Sequence, residues 1–186
     1  MDTTTIEREV KLPFASADDA RAAILATGAT PLHGRRLQED CLLDDENETL
    51  RRRRCVLRVR TEGGKSRLTF KGPVQAASVK TREELETVVG DGAVLRRVLE
   101  ELGLHVWFRY EKYREEFARE DVIFAIDETP VGVFVEIEGS EQGIAAAAET
   151  LGRRPADYVL DSYRGLFLKY RDTHGLTGSN MVFDEP

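Results

Sequence analysis

Apolar and polar residues alternate through much of the 186-residue chain, with the two-residue period that is typical of half-buried β-strands. Near the start, Ile6, Val10 and Leu12 share one face of an extended segment. The opposite face of this segment is charged and carries Glu7, Glu9 and Lys11. The same period predicts further strands at 37–43, 55–61, 66–71, 79–88, 106–118, 122–127 and 133–138. We therefore expect about eight strands.

Short turns and four helical segments separate the predicted strands. The pair Gly63-Gly64 joins two strands as a hairpin. Helices are predicted at about 16–28, 92–102, 140–151 and 162–175. Because most strand connections are short, the predicted fold class is α+β, an eight-stranded antiparallel β-barrel with helices packed outside. We assign residues 1–175 to this single domain and residues 176–186 to a flexible C-terminal tail.

Composition and charge narrow the classes of function. The chain has 41% hydrophobic residues, enough for one substantial core, and a formal net charge of -7, which argues against nucleic-acid binding through a general positive field. Cys41 and Cys55 are too few for a disulfide scaffold, so we expect free thiols and a cytoplasmic protein. No segment resembles a membrane span or a secretory signal. We expect neither a nucleic-acid partner nor a membrane partner.

The charged strand faces have two interpretations, a solvated exterior and a charged lumen. For any single strand, a solvated face or cross-strand ion pairs would suffice. If all the faces point inward, the lumen contains the acids Glu7, Glu9, Glu84, Glu86, Asp127, Glu136 and Glu138 and the bases Lys11, Arg58, Arg60, Lys71, Arg82, Lys112 and Arg114. Buried charges need partners, so such a lumen must bind something. A polyphosphate with Mg²⁺ or Mn²⁺ meets this need, because guanidinium and ammonium groups bind phosphate and carboxylates bind these metals.

Several other charged residues stay outside this set. The run from Arg51 to Arg54 is more typical of an exposed surface than of a site. Lys80 and Arg67 fit either the lumen or its rim by alternation. The three histidines are isolated in sequence, which favours structural or surface roles over metal ligation.

The motif Glu7-x-Glu9-x-Lys11 resembles the ExExK signature of the CYTH superfamily, the triphosphate tunnel metalloenzymes. ExExK alone is a weak signal, but the ordered set that follows it is highly specific. The further matches are Leu57-Arg58-Val59-Arg60, Leu68-Thr69-Phe70-Lys71-Gly72-Pro73, Arg82-x-Glu84-x-Glu86, Lys112-x-Arg114, Ile126-Asp127-x-x-Pro130-x-Gly132 and Glu136-Ile137-Glu138, with Ser162-Tyr163 similar to a C-terminal element.

The resemblance implies a tunnel that binds a triphosphate together with Mg²⁺ or Mn²⁺. It implies a metal set of Glu7, Glu9, Asp127, Glu136 and Glu138. It implies a triphosphate-binding set of Lys11, Arg58, Arg60, Lys71, Arg82, Lys112 and Arg114. Within these sets, the expected catalytic residues are Glu9, Lys112 and Glu136. Glu84 and Glu86 are expected to support the site, either by orienting basic side chains or by binding metal through water.

Three functions follow from the resemblance and the residues. The leading hypothesis is a metal-dependent triphosphatase that hydrolyses the terminal phosphate of an inorganic or organic triphosphate. The first alternative is a class IV adenylyl cyclase, which converts ATP to cyclic AMP and pyrophosphate, and the second is a non-catalytic polyphosphate-binding module. Expected substrates are tripolyphosphate, ATP or thiamine triphosphate. Relatives in the superfamily are often dimeric, so a homodimer is also possible, although the sequence reveals no interface.

Two departures from the superfamily patterns bear on this choice. Proteobacterial class IV cyclases carry a His-Phe pair shortly before ExExK, where this chain has Thr3-Thr4-Thr5-Ile6. Thiamine triphosphatases have a tyrosine two positions after an aspartate that resembles Asp40, where this chain has Leu42. The first departure weakens the cyclase hypothesis, and the second weakens thiamine triphosphate as the substrate.

Overall fold

Eight antiparallel strands close into a barrel in the computed structural model, which describes residues 5–183. Thr3 and Thr4, named in the comparison with cyclases, and the last residues 184–186 lie outside this range. The strands are β1 (Thr5–Phe14), β2 (Thr30–Asp44), β3 (Val56–Glu62), β4 (Lys65–Lys71), β5 (Lys80–Val89), β6 (His105–Arg119), β7 (Val122–Thr129) and β8 (Gly132–Glu138). Their order around the barrel is β1-β5-β4-β3-β2-β6-β7-β8, with β8 paired to β1. The predicted fold class is confirmed.

The helices lie outside the strands or across one end of the barrel, and serine caps begin three of them. They are α1 (Ala17–Ala26), α2 (Thr49–Arg52), α3 (Gly92–Glu101), α4 (Glu141–Thr150) and α5 (Tyr163–His174). The hydroxyl groups of Ser16, Ser140 and Ser162 accept backbone hydrogen bonds in the first turns of α1, α4 and α5. The single-turn helix α2 and a short 3-10 helix at Pro155–Asp157 have no counterpart in the sequence prediction. No helix within residues 5–183 has the length and apolar character to cross a membrane.

Strand β2 is longer than the sequence predicted. It begins at Thr30 rather than near Leu37, and it pairs with β6 from Thr30 to Asp44. Pro31 and Gly34 interrupt the apolar–polar alternation in its first half, where the pairing also shifts register. Pairing with the long strand β6 therefore extends β2 beyond the part that local sequence pattern reveals.

Two apolar cores hold the barrel and fix the polarity of its interior. The outer core packs the outward faces of β1, β7 and β8 against α1 and α4, through residues such as Leu12, Ile24, Phe124, Ile137 and Ile144. The inner core lies at one end of the lumen and contains Leu42, Phe108, Tyr110, Phe134, Tyr163, Phe167 and Met181. Each such side chain contributes about 1.5–3 kcal/mol when fully buried. Helix α5 thus covers an apolar end and leaves the rest of the lumen polar.

Part of the segment that the sequence assigned to the tail packs against the barrel. Met181 is buried, its N–H donates to the carbonyl of Arg109, and its own carbonyl accepts from the N–H of Glu111. The ring of Phe183 lies 5.2 Å from that of Tyr113. Residues 180–183 therefore run beside the part of β6 that precedes its pairing with β7.

Candidate active site in the barrel lumen

A cavity of about 860 Å³ occupies the lumen and is lined mainly by charged side chains. Alternation along each strand brings them there, because every second residue points inward. Of the predicted site residues, those that line the cavity are Glu7, Glu9, Lys11, Arg58, Arg60, Lys71, Arg82, Glu84, Glu86, Lys112, Arg114, Glu136 and Glu138. Asp127 is the exception, since it is fully buried beside the cavity wall. The structure thus brings together groups that lie up to 131 positions apart (Glu7 to Glu138).

Glu9 and Glu136 meet at Lys11, near the centre of this charged surface. The ammonium group of Lys11 lies 3.2 Å from Glu9 Oε1 and 3.0 Å from Glu136 Oε1. Burial by itself raises the pKa of a carboxyl group, but neighbouring cations more than offset it and hold the pKa values of Glu9 and Glu136 below their ordinary range. Both carboxylates are therefore charged and accept bonds from lysine, as a metal or phosphate site requires.

Glu7 forms a second cluster with basic residues of β4 and β5. Its carboxylate accepts from Lys71 Nζ at 2.6 Å and from Arg82 Nε at 3.1 Å. Lys71 also lies 2.8 Å from Glu84, and burial together with the charge of Glu7 raises the pKa of Glu84 despite this lysine. Glu7 and Glu84 therefore both contact Lys71. Whether Glu84 orients basic side chains or binds metal through water stays a prediction.

Asp127 holds the basic pair on β6 rather than facing the cavity. Its carboxylate accepts from Lys112 Nζ at 2.7 Å, from Arg114 Nε at 2.7 Å and from the hydroxyl group of Tyr163. Burial and the nearby Arg114 guanidinium lower the pKa of Lys112 to about 8. Both carboxylate oxygens of Asp127 are thus engaged by Lys112, Arg114 and Tyr163. The metal role that the resemblance implied for Asp127 stays a prediction.

Asp40 is a site residue that the sequence sets did not include. It is 1% exposed, and its Oδ1 atom lies 2.9 Å from Arg60 Nε and 3.4 Å from Arg58 Nε. Arg58 Nε and Arg60 Nη2 form no hydrogen bond within residues 5–183, although both are buried. Asp40 thus leaves part of the donor capacity of both guanidinium groups unused. The sequence signal for Asp40 was its alternation with Gln38 along β2.

The Asp40→Asn variant is expected to lose stability in a pH-dependent way. Burial raises the pKa of Asp40, but Arg60 and Arg58 outweigh it and hold that pKa below 3.8. When folding lowers the pKa of a carboxyl group, its charged form stabilises the fold at pH values above the unfolded-state pKa. This stabilisation is lost as the pH falls through the folded-state pKa. We expect a deficit of roughly 3 kcal/mol at neutral pH, shrinking below pH 3.8, as measured by urea unfolding of both proteins. A deficit that is independent of pH would contradict this account.

Further basic residues line the cavity that the sequence left open or assigned to the surface. Lys80 lies 2.5 Å from Glu9 Oε1, and burial lowers the pKa of Lys80 to about 8 despite that carboxylate. Arg67, which alternation also left open, lines the cavity as well. In the arginine run, Arg52, Arg53 and Arg54 are exposed, as expected, whereas Arg51 is half-buried. Arg51 and Arg54 nevertheless line the cavity.

Glu138 differs from the other lumen carboxylates because it forms no ion pair within residues 5–183. It pairs across the sheet with Glu9 on β1. Burial, followed by the charges of Glu7, Glu136 and Glu9, raises the pKa of Glu138 to about 7. An excess of negative charge at clustered carboxylates favours a hard divalent cation, so this end of the lumen fits Mg²⁺ or Mn²⁺ by donor chemistry. In the described residues, no three potential ligands already converge as a metal site.

The fold and the site define this protein as a closed antiparallel β-barrel with paired acids and bases in its lumen. The family model described as CYTH domain matches residues 5–163. This match spans most of the chain, and the chain therefore belongs to the CYTH domain family. The family expected from the motifs is thereby confirmed.

Individual relatives agree with this assignment. A candidate adenylate cyclase of Methanocaldococcus jannaschii is 33% identical over 107 residues, which cover 57% of this chain and 61% of that protein. The alignment thus spans less than two thirds of the relative. A solved structure from Pyrococcus horikoshii is 27% identical, with a TM-score of 0.71 over 84% of this chain and 96% of that chain.

A candidate adenylyl cyclase from Hippeastrum has the same fold. It has a TM-score of 0.63 at 19% identity, over 90% of this chain and 95% of that chain. That protein is described as having a dominant triphosphatase activity.

Proposed function

We propose that this protein is a divalent-metal-dependent triphosphatase that hydrolyses the terminal phosphate of an inorganic or organic triphosphate. The observation that carries the proposal is the lumen itself, where six strands present lysine and arginine around one cavity and β1 and β8 present carboxylates beside them. Membership of the CYTH domain family supports the same class of substrate. The Hippeastrum protein, which shares the fold, supports hydrolysis as a reaction that this fold can accommodate.

The basic side chains would bind and neutralise the phosphates. Lys11, Arg58, Arg60, Lys71, Arg82, Lys112 and Arg114 each already lie beside a carboxylate, which holds them in place before substrate arrives. Preformed donors of this kind stabilise charge that develops during phosphoryl transfer without reorganising. Lys112, with its pKa lowered to about 8, releases a proton more readily than an ordinary lysine and can supply one to the leaving oxygen.

The metal would be held by the carboxylates of β1 and β8. Glu7, Glu9, Glu136 and Glu138 are the proposed ligands, and a bound Mg²⁺ or Mn²⁺ would supply charge neutralisation and activation of water. Glu138 is the member of this set that has no ion pair among the described residues, so it would bind metal without displacing a lysine. Asp127 is assigned to positioning instead, because it is fully buried, does not line the cavity and contacts Lys112, Arg114 and Tyr163.

An adenylyl cyclase is the second candidate, favoured by the relative from Methanocaldococcus jannaschii. In that reaction, the ribose 3'-hydroxyl group attacks the α-phosphorus of ATP and pyrophosphate leaves. The same lumen serves either reaction, since they differ in which phosphorus meets the nucleophile. A binding module without catalysis would use the basic set alone.

Product analysis separates these functions. The pure protein is incubated with tripolyphosphate, ATP or thiamine triphosphate in the presence of Mg²⁺ or Mn²⁺, and the products are identified by ion chromatography. We expect orthophosphate with pyrophosphate or a nucleoside diphosphate, and we expect EDTA to abolish its release. Cyclic AMP with pyrophosphate would establish cyclisation instead, and binding without any product would establish the binding module. Turnover that survives EDTA would exclude the metal requirement.

A further inference from the structure

The cavity continues from the lumen to a region around Trp107, which the proposed triphosphate site does not use. This region, called the Trp107 end, consists of Arg51, Arg54, Trp107, Ser162 and Arg164. The Trp107 end lies at the start of β6, and the carboxylate of Glu138 lies at the end of β8. Strands β6 and β8 run in the same direction. The two regions are therefore at opposite ends of the barrel.

Two guanidinium groups are held at the Trp107 end by the indole ring. The central guanidinium carbon of Arg51 lies 4.4 Å from the ring centroid, and that of Arg164 lies 4.8 Å from it. Such cation–π contacts restrict arginine side chains that would otherwise move freely in solvent. Arg54 has a φ angle of 59°, uncommon for a residue with a side chain, which is a further sign of a constrained backbone here.

The Trp107 end carries uncompensated positive charge, unlike the lumen. Arg51 pairs with Asp44 and Glu48, but neither Arg54 nor Arg164 pairs with a carboxylate within residues 5–183. Burial, followed by repulsion from Arg51 and Arg171, lowers the pKa of Arg164. Arg54 is exposed and Arg164 is half-buried, and both line the cavity. Unpaired guanidinium charge attracts an anion, and the planar fork of arginine matches phosphate in particular.

Tyr163 connects the two parts of the cavity. Its ring lies 4.7 Å from Lys112 Nζ and 5.1 Å from Lys11 Nζ, both in the proposed phosphate set. Its chain neighbours Ser162 and Arg164 line the Trp107 end. Lys11, Lys112, Tyr163 and Arg164 therefore line the same cavity.

We propose that the Trp107 end is a subsite for phosphate groups beyond the third, so that the preferred substrate is a linear polyphosphate longer than tripolyphosphate. This inference rests on the proposed function, because it extends the same substrate site. The chemistry favours this ligand over the organic triphosphates. A thiamine cation would be repelled by Arg54 and Arg164, and a neutral nucleoside would leave their charge unmatched. The Trp107 ring already contacts two guanidinium groups, so it is not free to stack on a base.

The test compares two double variants of the full chain. Arg54→Gln with Arg164→Gln removes the two unpaired charges of the subsite. Arg52→Gln with Arg53→Gln is the matched control, because it removes two exposed arginines that do not line the cavity. Binding of tripolyphosphate, of ATP and of size-fractionated long-chain sodium polyphosphate is measured by calorimetry, and kcat/KM is measured from phosphate release. Thermal unfolding checks that both variants are folded.

The Arg54/Arg164 variant is expected to lose at least about tenfold in affinity and kcat/KM for long-chain polyphosphate, which corresponds to the loss of one or two charge-assisted hydrogen bonds. Tripolyphosphate should change little, and the control variant should match the wild type for all ligands. Equal losses for tripolyphosphate and polyphosphate would overturn the subsite, and so would a selective loss for ATP.

Failure of the proposed function gives a different result from failure of the subsite. If the wild type released no phosphate, triphosphatase activity would be excluded, yet calorimetry would still test the subsite. Selective loss of polyphosphate binding in the Arg54/Arg164 variant would then support it. Equal polyphosphate affinity in the wild type and this variant would overturn it, whatever the activity.

Discussion

Glu136→Gln is expected to lower triphosphate turnover by about a hundredfold to a thousandfold while the protein stays folded. Glu136 contacts Lys11 at 3.0 Å, forms an ion pair with Arg114 and belongs to the proposed metal set. Glutamine has nearly the same size but lacks the charge that a divalent cation and these bases require. The loss should appear mainly in kcat, because the interaction matters most when charge develops on the transferring phosphoryl group.

The fold should survive this substitution because both cations keep another carboxylate. Lys11 still has Glu9 at 3.2 Å, and Arg114 still has Asp127 at 2.6 Å. The matched control is Glu39→Gln, which changes an exposed glutamate on the outer face of β2. Turnover is measured by phosphate release, metal affinity by calorimetry, and folding by circular dichroism. A fully active variant would remove Glu136 from the mechanism, and an unfolded one would show that its role is structural.

Asp127→Asn is expected to cost about 5 kcal/mol of stability, the largest effect on folding that we anticipate. The carboxylate is fully buried and accepts from Lys112, Arg114 and Tyr163. Asparagine leaves two buried cations with one fewer negative charge, and its amide N–H donors cannot replace the accepting oxygen. Breaking a buried ion pair from one side is costly because the remaining charge stays desolvated.

Urea unfolding of this variant tests the role of Asp127 directly. Asp18→Asn is the control, because Asp18 forms an exposed ion pair with Arg21, and such pairs contribute about 0–1 kcal/mol. If Asp127 positions Lys112 and Arg114, stability falls, and metal affinity measured in the folded fraction changes little. Unchanged stability with lost metal affinity would instead restore the metal role that the resemblance implied.

Local pattern was sufficient for most of the barrel, and its failures have local causes. Strands such as β1 and β4 alternate cleanly, so their inward and outward faces could be read from the sequence. The first half of β2 could not be read, because Pro31 and Gly34 disturb the alternation and pairing with β6 supplies the missing support. Helix α2 is too short to show a period.

The candidate site divides in the same way. Alternation and the ordered motifs named the residues that line the lumen, but not the partners of each. The contact of Asp127 with Tyr163 joins β7 to α5, and the contact of Lys80 with Glu9 joins β5 to β1. No periodicity within a single strand encodes such contacts.

The sequence by itself determined the strand faces, the charges on them and the family, because these depend on the order of residues along one segment. Only the tertiary structure decided which charges are neutralised and which stay unpaired. Barrel closure sets that balance by bringing distant strands within ion-pair distance, so Asp127 contacts Lys112 and Arg114, whereas Glu138 lacks an ion pair among the described residues. For the same reason, Arg51 and Arg54, which the sequence assigned to the surface, line the cavity together with Trp107 and Arg164.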